Sequence, residues 1–226
     1  MKMHRYIGLL LAAIKWPVAL LSVAYLPAAT QVFFSETTQL FVSNSNVLNL
    51  LLVGVLSYSL LWLVMIRRAR INWLATLEHE ITHSFFALLT LNKVTGLRAT
   101  LRDGGHMTYK GTPNWLIQTA PYFFPTLSFG LLIPILIIPS FFSEILMFAM
   151  GVSLAYHMFS TWQETHLNQT DFKEAGFAFV LCFLPAANLF FYMLCIHSLA
   201  ELEFALVPTI KSIYGSTWAP TIPDFF

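Results

Sequence analysis

Residues 74–89 read LATLEHEITHSFFALL, and the rest of the chain is organised around that stretch. It holds His79, Glu80 and His83, an HExxH motif, inside an apolar run. On a helix, positions four apart share one face, so His79 and His83 can point two imidazoles at one metal ion. Glu80 lies beside the first of them, where a carboxylate can take a proton from a water held there. Zinc suits imidazole and oxygen ligands and leaves an open position for water in catalytic sites. The competing structural reading is a helix end in the headgroup region whose three polar side chains bond to water. Ionisable residues at hydrocarbon depth are costly and functional by default, which favours the metal. Glu78 is a second carboxylate two residues from Glu80; the motif register assigns the base to Glu80.

Composition sets the setting of that motif. The chain is 57% hydrophobic and only 10% charged, which describes a polytopic membrane protein rather than a soluble core. The net charge of +1 implies no nucleic-acid partner. Cys182 and Cys195 fall in one apolar run and read as packing or lipid-facing residues rather than a disulfide. The expectation is one integral membrane domain over 1–226. It is an all-α polytopic membrane protein with about six transmembrane helices. One small β-hairpin is inserted after the HExxH helix.

The apolar runs place those spans at 6–29, 47–66, 71–91, 115–139, 144–162 and 175–207. The first carries Lys15 and Pro17 and reads as a retained helix rather than a cleaved signal. Residues 30–46 are rich in Ser, Thr and Asn and read as a polar loop. Arg67, Arg68 and Arg70 close the second span. Residues 94–111 alternate around Asp103-Gly104-Gly105 and predict the hairpin, with strands at 97–102 and 106–110. Pro121, Pro125 and Pro134 predict kinks in the fourth span. Residues 163–174 are a polar break, and 211–226 an interfacial tail.

Catalytic zinc sites usually have three protein ligands, so the two histidines need a partner. The aspartates are Asp103, in the hairpin turn, Asp224, in the tail, and Asp171, at the head of the last span. Asp171 is the first choice; Glu164, His157 and His166 are its rivals. Asn188, inside the last apolar run, could bond a substrate carbonyl or a tetrahedral oxyanion, or could bridge helices instead.

The ordered set resembles the site-2 protease family of intramembrane metalloproteases, and most closely its small, compact bacterial branch. The motif helix continues into Thr90-Leu-Asn-Lys-Val-Thr-Gly-Leu-Arg98. Gly104-Gly105 and a strand follow, then a span opening Ala120-Pro-Tyr-Phe-Phe-Pro125, then Thr170-Asp171. Two positions depart from the family: Thr82 stands where it usually has glycine before the second histidine, and Phe172 follows the aspartate where it has glycine. The resemblance implies one zinc ion on His79, His83 and Asp171, with Glu80 as base. It implies hydrolysis of peptide bonds in a membrane-protein or membrane-peptide substrate, within or at the edge of the lipid bilayer. It further implies that the hairpin, with Gly104 and Gly105, presents an unwound substrate segment by main-chain pairing. The expected location is multi-pass in a bacterial cytoplasmic membrane. The alternative is a non-proteolytic membrane protein that keeps a structural or vestigial metal site and binds a client.

Overall fold

The structure, a computed structural model, describes residues 3–43, 45–66, 73–100, 104–137, 143–166, 168–201 and 204–218. Helix α1, Met3–Ser43, is one continuous helix of 41 residues. Its length corrects the expected span of 6–29 and the expected polar loop after it. At 1.5 Å per residue it is about 60 Å long, twice the hydrocarbon thickness. The polar residues do not end it because their hydroxyls bond back into the helix. Thr30 Oγ1 donates to the Leu26 carbonyl at 2.8 Å and Thr38 Oγ1 to the Phe34 carbonyl at 2.7 Å. Glu36 finds partners elsewhere: Ser212 Oγ donates to it at 2.7 Å, and His197 Nε2 lies 3.7 Å away.

Helix α2, Ser45–Leu61, ends in a π-helical turn, Trp62–Ile66. It packs along α6, Ser143–Glu164, through two glycines. A Cβ on Gly54 would strike the Phe148 carbonyl, and one on Gly151 the Leu51 carbonyl. Small residues let helix backbones touch, which supplies the packing that lipid cannot. Leu51, Met147, Met150 and Leu154 fill the seam.

The motif helix is α3, Trp73–Leu89. Two strands follow: β1, Lys93–Ala99, and β2, Gly105–Lys110. They pair antiparallel, Leu97 opposite Met107 and Arg98 opposite His106, with an irregularity between Val94 and Gly96. The hairpin is thus present; its first strand starts earlier than expected, and Arg102 and Asp103 lie outside the described residues. Met107 and Tyr109 pack toward the helices together with Val94.

The expected span 115–139 is broken. Helix α4, Trp115–Thr119, runs into a 3-10 turn, Ala120–Tyr122, and α5 restarts at Thr126–Ile137. The two pieces are bent by 75°. Pro121 and Pro125 bracket the break, since proline has no N–H for the helix ladder. The carboxylate of Glu78 accepts the Leu127 N–H at 3.0 Å, satisfying a donor that the new helix start leaves free.

After α6 comes a short helix, α7, Thr170–Ala175, then α8, Phe177–Glu201, and α9, Leu206–Trp218. Gly176, at φ +87°, turns the chain between α7 and α8. The expected sixth run of 175–207 is therefore α8 plus the start of α9, and the expected tail is helical to Trp218.

Three described helices are long and apolar enough to cross a membrane: Met3–Gln39, Glu144–Glu164 and Phe177–Leu199. Counting the bent pair as one span gives four. Six spans are not confirmed among the described residues: α2 before its π-helical turn and α3 have 17 residues each, against the roughly 20 that a spanning helix takes. The protein is predominantly helical, with one two-stranded sheet among the described residues.

Candidate metal centre

The site lies where α3 meets α4, α7 and β2. Asn92 and Asn114 lock that junction. Asn92 Oδ1 accepts the Thr112 N–H at 2.6 Å, and Asn114 Oδ1 accepts the Ile117 N–H at 3.1 Å, capping α4. Trp115 Nε1 donates to the Leu11 carbonyl at 2.7 Å and fastens α4 to α1. Beneath it, Phe86, Ile117, Phe123, Phe172 and Phe179 form a buried apolar floor.

On α3, His79 and His83 stack edge to face, ring centroids 4.7 Å apart. Each ring has one nitrogen engaged in protein. His79 Nδ1 lies 2.7 Å from Glu164 Oε2, and His83 Nδ1 donates to the Ile117 carbonyl at 2.8 Å. The two Nε2 atoms converge on Asp171 Oδ2, each at 3.5 Å. The three ligand atoms lie within 4.8 Å of one another, and they are the group of this kind among the described residues. A tetrahedral zinc ion with bonds of about 2.0–2.1 Å keeps its ligand atoms about 3.3–3.4 Å apart. The two 3.5 Å edges to Asp171 match that spacing, and two imidazoles with one carboxylate suit the ion in chemistry.

Asp171 sits in the first turn of α7, and Tyr122 Oη donates to its Oδ2 at 3.0 Å. Burial opposes its charge, but the hydrogen bonds and proximity of His79 and His83 win. They hold the carboxyl well below the usual carboxylate range. The group opens into a cavity of about 440 Å³ lined by Glu80, Gly105, Tyr109, Gln118 and Glu174 as well as the three donors. Glu80 is therefore beside the donors, while Glu78, two residues earlier, is turned to α5. Gly105 presses its main chain on Glu80: an added Cβ would lie 2.6 Å from Glu80 Cγ and 2.6 Å from Thr76 Cγ2.

The other candidates stand elsewhere. His157 is buried on α6 against Tyr192, ring centroids 6.0 Å apart, and His166 is exposed. Glu164 reaches His79 but on the ring nitrogen that points away from Asp171. Asn188 donates to the Tyr122 carbonyl at 2.9 Å and to the Leu184 carbonyl at 3.0 Å, so its amide bridges helices and does not line the cavity. Gly104 has φ +77° and serves the hairpin turn, with nothing within 4 Å of where a Cβ would be. Two contributions were not foreseen. The Ile117 carbonyl carries no side-chain signal, whereas Tyr122 lay in the quoted Ala120–Pro125 segment and its phenol was the clue.

A family model described as Peptidase M50B-like matches residues 47–202, more than half of the chain. The chain belongs to that family. It is thus a member of the site-2 protease family, as the resemblance implied. At that level it is a membrane protein and a metallopeptidase, and the M50 peptidases are zinc enzymes. The matched region includes both histidines, Glu80, Asp171 and the hairpin. No curated protein and no solved structure matched the chain.

Proposed function

We propose that this M50B-like protein is an intramembrane zinc metalloprotease that hydrolyses peptide bonds of membrane-protein substrates. The observation that carries the proposal is the convergence of His79 Nε2, His83 Nε2 and Asp171 Oδ2 beside Glu80 in one polar cavity. His79, His83 and Asp171 would hold the ion. Bound zinc supplies a Lewis acid that makes water nucleophilic near neutral pH. Glu80 takes the proton of the attacking water and passes it to the leaving amine, a role worth roughly 10²–10⁴-fold in rate. Tyr122 holds the Asp171 carboxylate by its phenol and fixes which oxygen faces the histidines.

The substrate must expose a peptide bond that a helix would hide in its own hydrogen bonds. Strand β2 supports a way to hold it. Among the described residues it is paired on one side only, with β1, and Gly105, Met107 and Tyr109 line the cavity. An extended segment added to its open edge would run past Glu80 with its main chain paired. Gly105 keeps that approach free of side chain at the base. The two departures from the family fit this reading, because both are absorbed in packing. Thr82 bonds to the Glu78 carbonyl and to Thr126, and Phe172 packs tilted against Tyr122 at 4.4 Å between ring centroids.

The test is Glu80→Gln in detergent-purified protein, with zinc content and cleavage of a reconstituted membrane peptide measured side by side. Zinc is expected at the wild-type level, with cleavage down by roughly 10²–10⁴-fold. Wild-type protein that binds zinc tightly but cuts no member of a transmembrane-peptide panel would favour the client-binding alternative.

A further inference from the structure

We infer that Glu164 is a positioning residue for the metal centre: it holds the His79 imidazole from behind and is not itself a ligand. The inference rests on the zinc-site reading above and deepens it. Its observation is separate: the 2.7 Å contact between Glu164 Oε2 and His79 Nδ1.

The two nitrogens of an imidazole lie on different sides of the ring. An oxygen bonded at Nδ1 cannot also reach an ion bound at Nε2 of the same ring. Asp171 Oδ2 takes the Nε2 side at 3.5 Å, so Glu164 and Asp171 grip His79 from opposite sides. Both belong to one segment, the end of α6 and the start of α7. Gln169 Nε2 closes that segment by donating to the Glu164 carbonyl at 2.7 Å. One junction, between α6 and α7, therefore supplies the carboxylate that faces the ion and the carboxylate that sets the ring. With Nδ1–H donated to Glu164, the lone pair of Nε2 is left for the metal. A charged acceptor makes this bond shorter and stronger than a neutral one.

His83 makes the contrast. Its Nδ1 donates to a neutral main-chain carbonyl, that of Ile117. Of the two histidines, His79 is thus the one backed by an anion. The other nearby carboxylates have different work: Glu80 lines the cavity, and Glu78 accepts the Leu127 N–H. Glu164 is also half-buried rather than sealed, with 26% of its side chain exposed.

The experiment uses full-length protein in detergent, as wild type, Glu164→Gln and Glu164→Ala. Zn²⁺ affinity is measured by competition with a chromophoric chelator, and the visible spectrum is recorded after loading with Co²⁺. Glu164→Ala is expected to keep one metal per chain with affinity weakened roughly 10–100-fold, the range for outer partners of metal ligands. Its cobalt bands should keep their position and intensity, because the ligands are unchanged. Glu164→Gln keeps an acceptor oxygen but loses the charge, and should fall between the two. Changed cobalt bands in Glu164→Ala would make Glu164 a ligand and overturn the inference. Unchanged affinity in both variants would overturn it too, by making the contact incidental. A fall in thermal stability without a fall in affinity would assign Glu164 a structural role only, and that also overturns it. Wild-type protein that takes up neither ion would sink the zinc-site reading itself, a result distinct from wild-type binding with unaltered variants.

Discussion

Along the α2–α6 seam, Gly54 and Gly151 bring two helix backbones into contact and apolar side chains fill the flanks. At the end of the same α6, Glu164 reaches α3 through a charged hydrogen bond, and Asp171 follows in the first turn of α7. One helix thus joins its neighbours by two means. The seam is shape against shape, which tolerates no added volume but carries no chemistry. The site is donor against acceptor, which costs burial of charge and makes sense where an ion compensates it. Between the two lie intermediate links: Ser128 Oγ and Ser153 Oγ meet at 2.8 Å, and Glu78 caps α5. The seam fixes where α6 ends, and the end of α6 fixes where the donors meet.

The comparison breaks most sharply at Asp171. Replacing it with alanine removes the oxygen that both Nε2 atoms face. Zinc and cleavage should be lost together, while the helical circular dichroism stays at the wild-type level, since the seam is untouched. Metal analysis beside the spectrum checks it. Zinc retained at wild-type occupancy would remove Asp171 from the ligand set.

Gly151→Leu attacks the other region. Its side chain would have to displace the Leu51 carbonyl, so α2 and α6 must part. Overpacking of this kind costs about 1–3 kcal/mol, and backbone contact puts this position at the upper end. A lowered thermal midpoint is expected, with zinc still bound below the transition. A variant that lost zinc while fully folded would show that the seam and the site are coupled more directly than their separate bonding suggests.

The same division explains what could be read from the chain. The HExxH register, the hairpin turn and the prolines that break the fourth span are local signals, each carried by residue type at short spacing. They were legible, and the scarcity of aspartates together with the resemblance pointed to Asp171, which the fold places beside the two histidines. Residues 30–43 were not. The Ser, Thr and Asn of 30–46 read as a loop, and back-bonding to the helix and the distant partners of Glu36 hold 30–43 helical. Six apolar runs do not by themselves make six spans, for a related reason: an apolar run reports hydrophobicity, while length and bending decide whether it crosses. Glu164 reads in the sequence as a rival third ligand, but its role depends on which ring nitrogen it meets, and no sequence pattern encodes that.

Asn188 gives the smallest expected effect and the finest test of where the site ends. A polar residue within an apolar run suggests an oxyanion donor, yet both of its amide bonds go to carbonyls, of Tyr122 and Leu184. Interhelical bonds of this kind average about 0.6 kcal/mol in a membrane protein. Asn188→Leu should therefore lower the thermal midpoint slightly and leave zinc affinity and turnover near wild type. Loss of an oxyanion donor would instead lower turnover by about 10²–10³-fold with little change in stability. Measured together, turnover and midpoint separate the two cases. If turnover falls by that much, the cavity must extend past Tyr122 toward α8 when a substrate is bound, and the boundary drawn between the packed half and the reactive half would move by one helix.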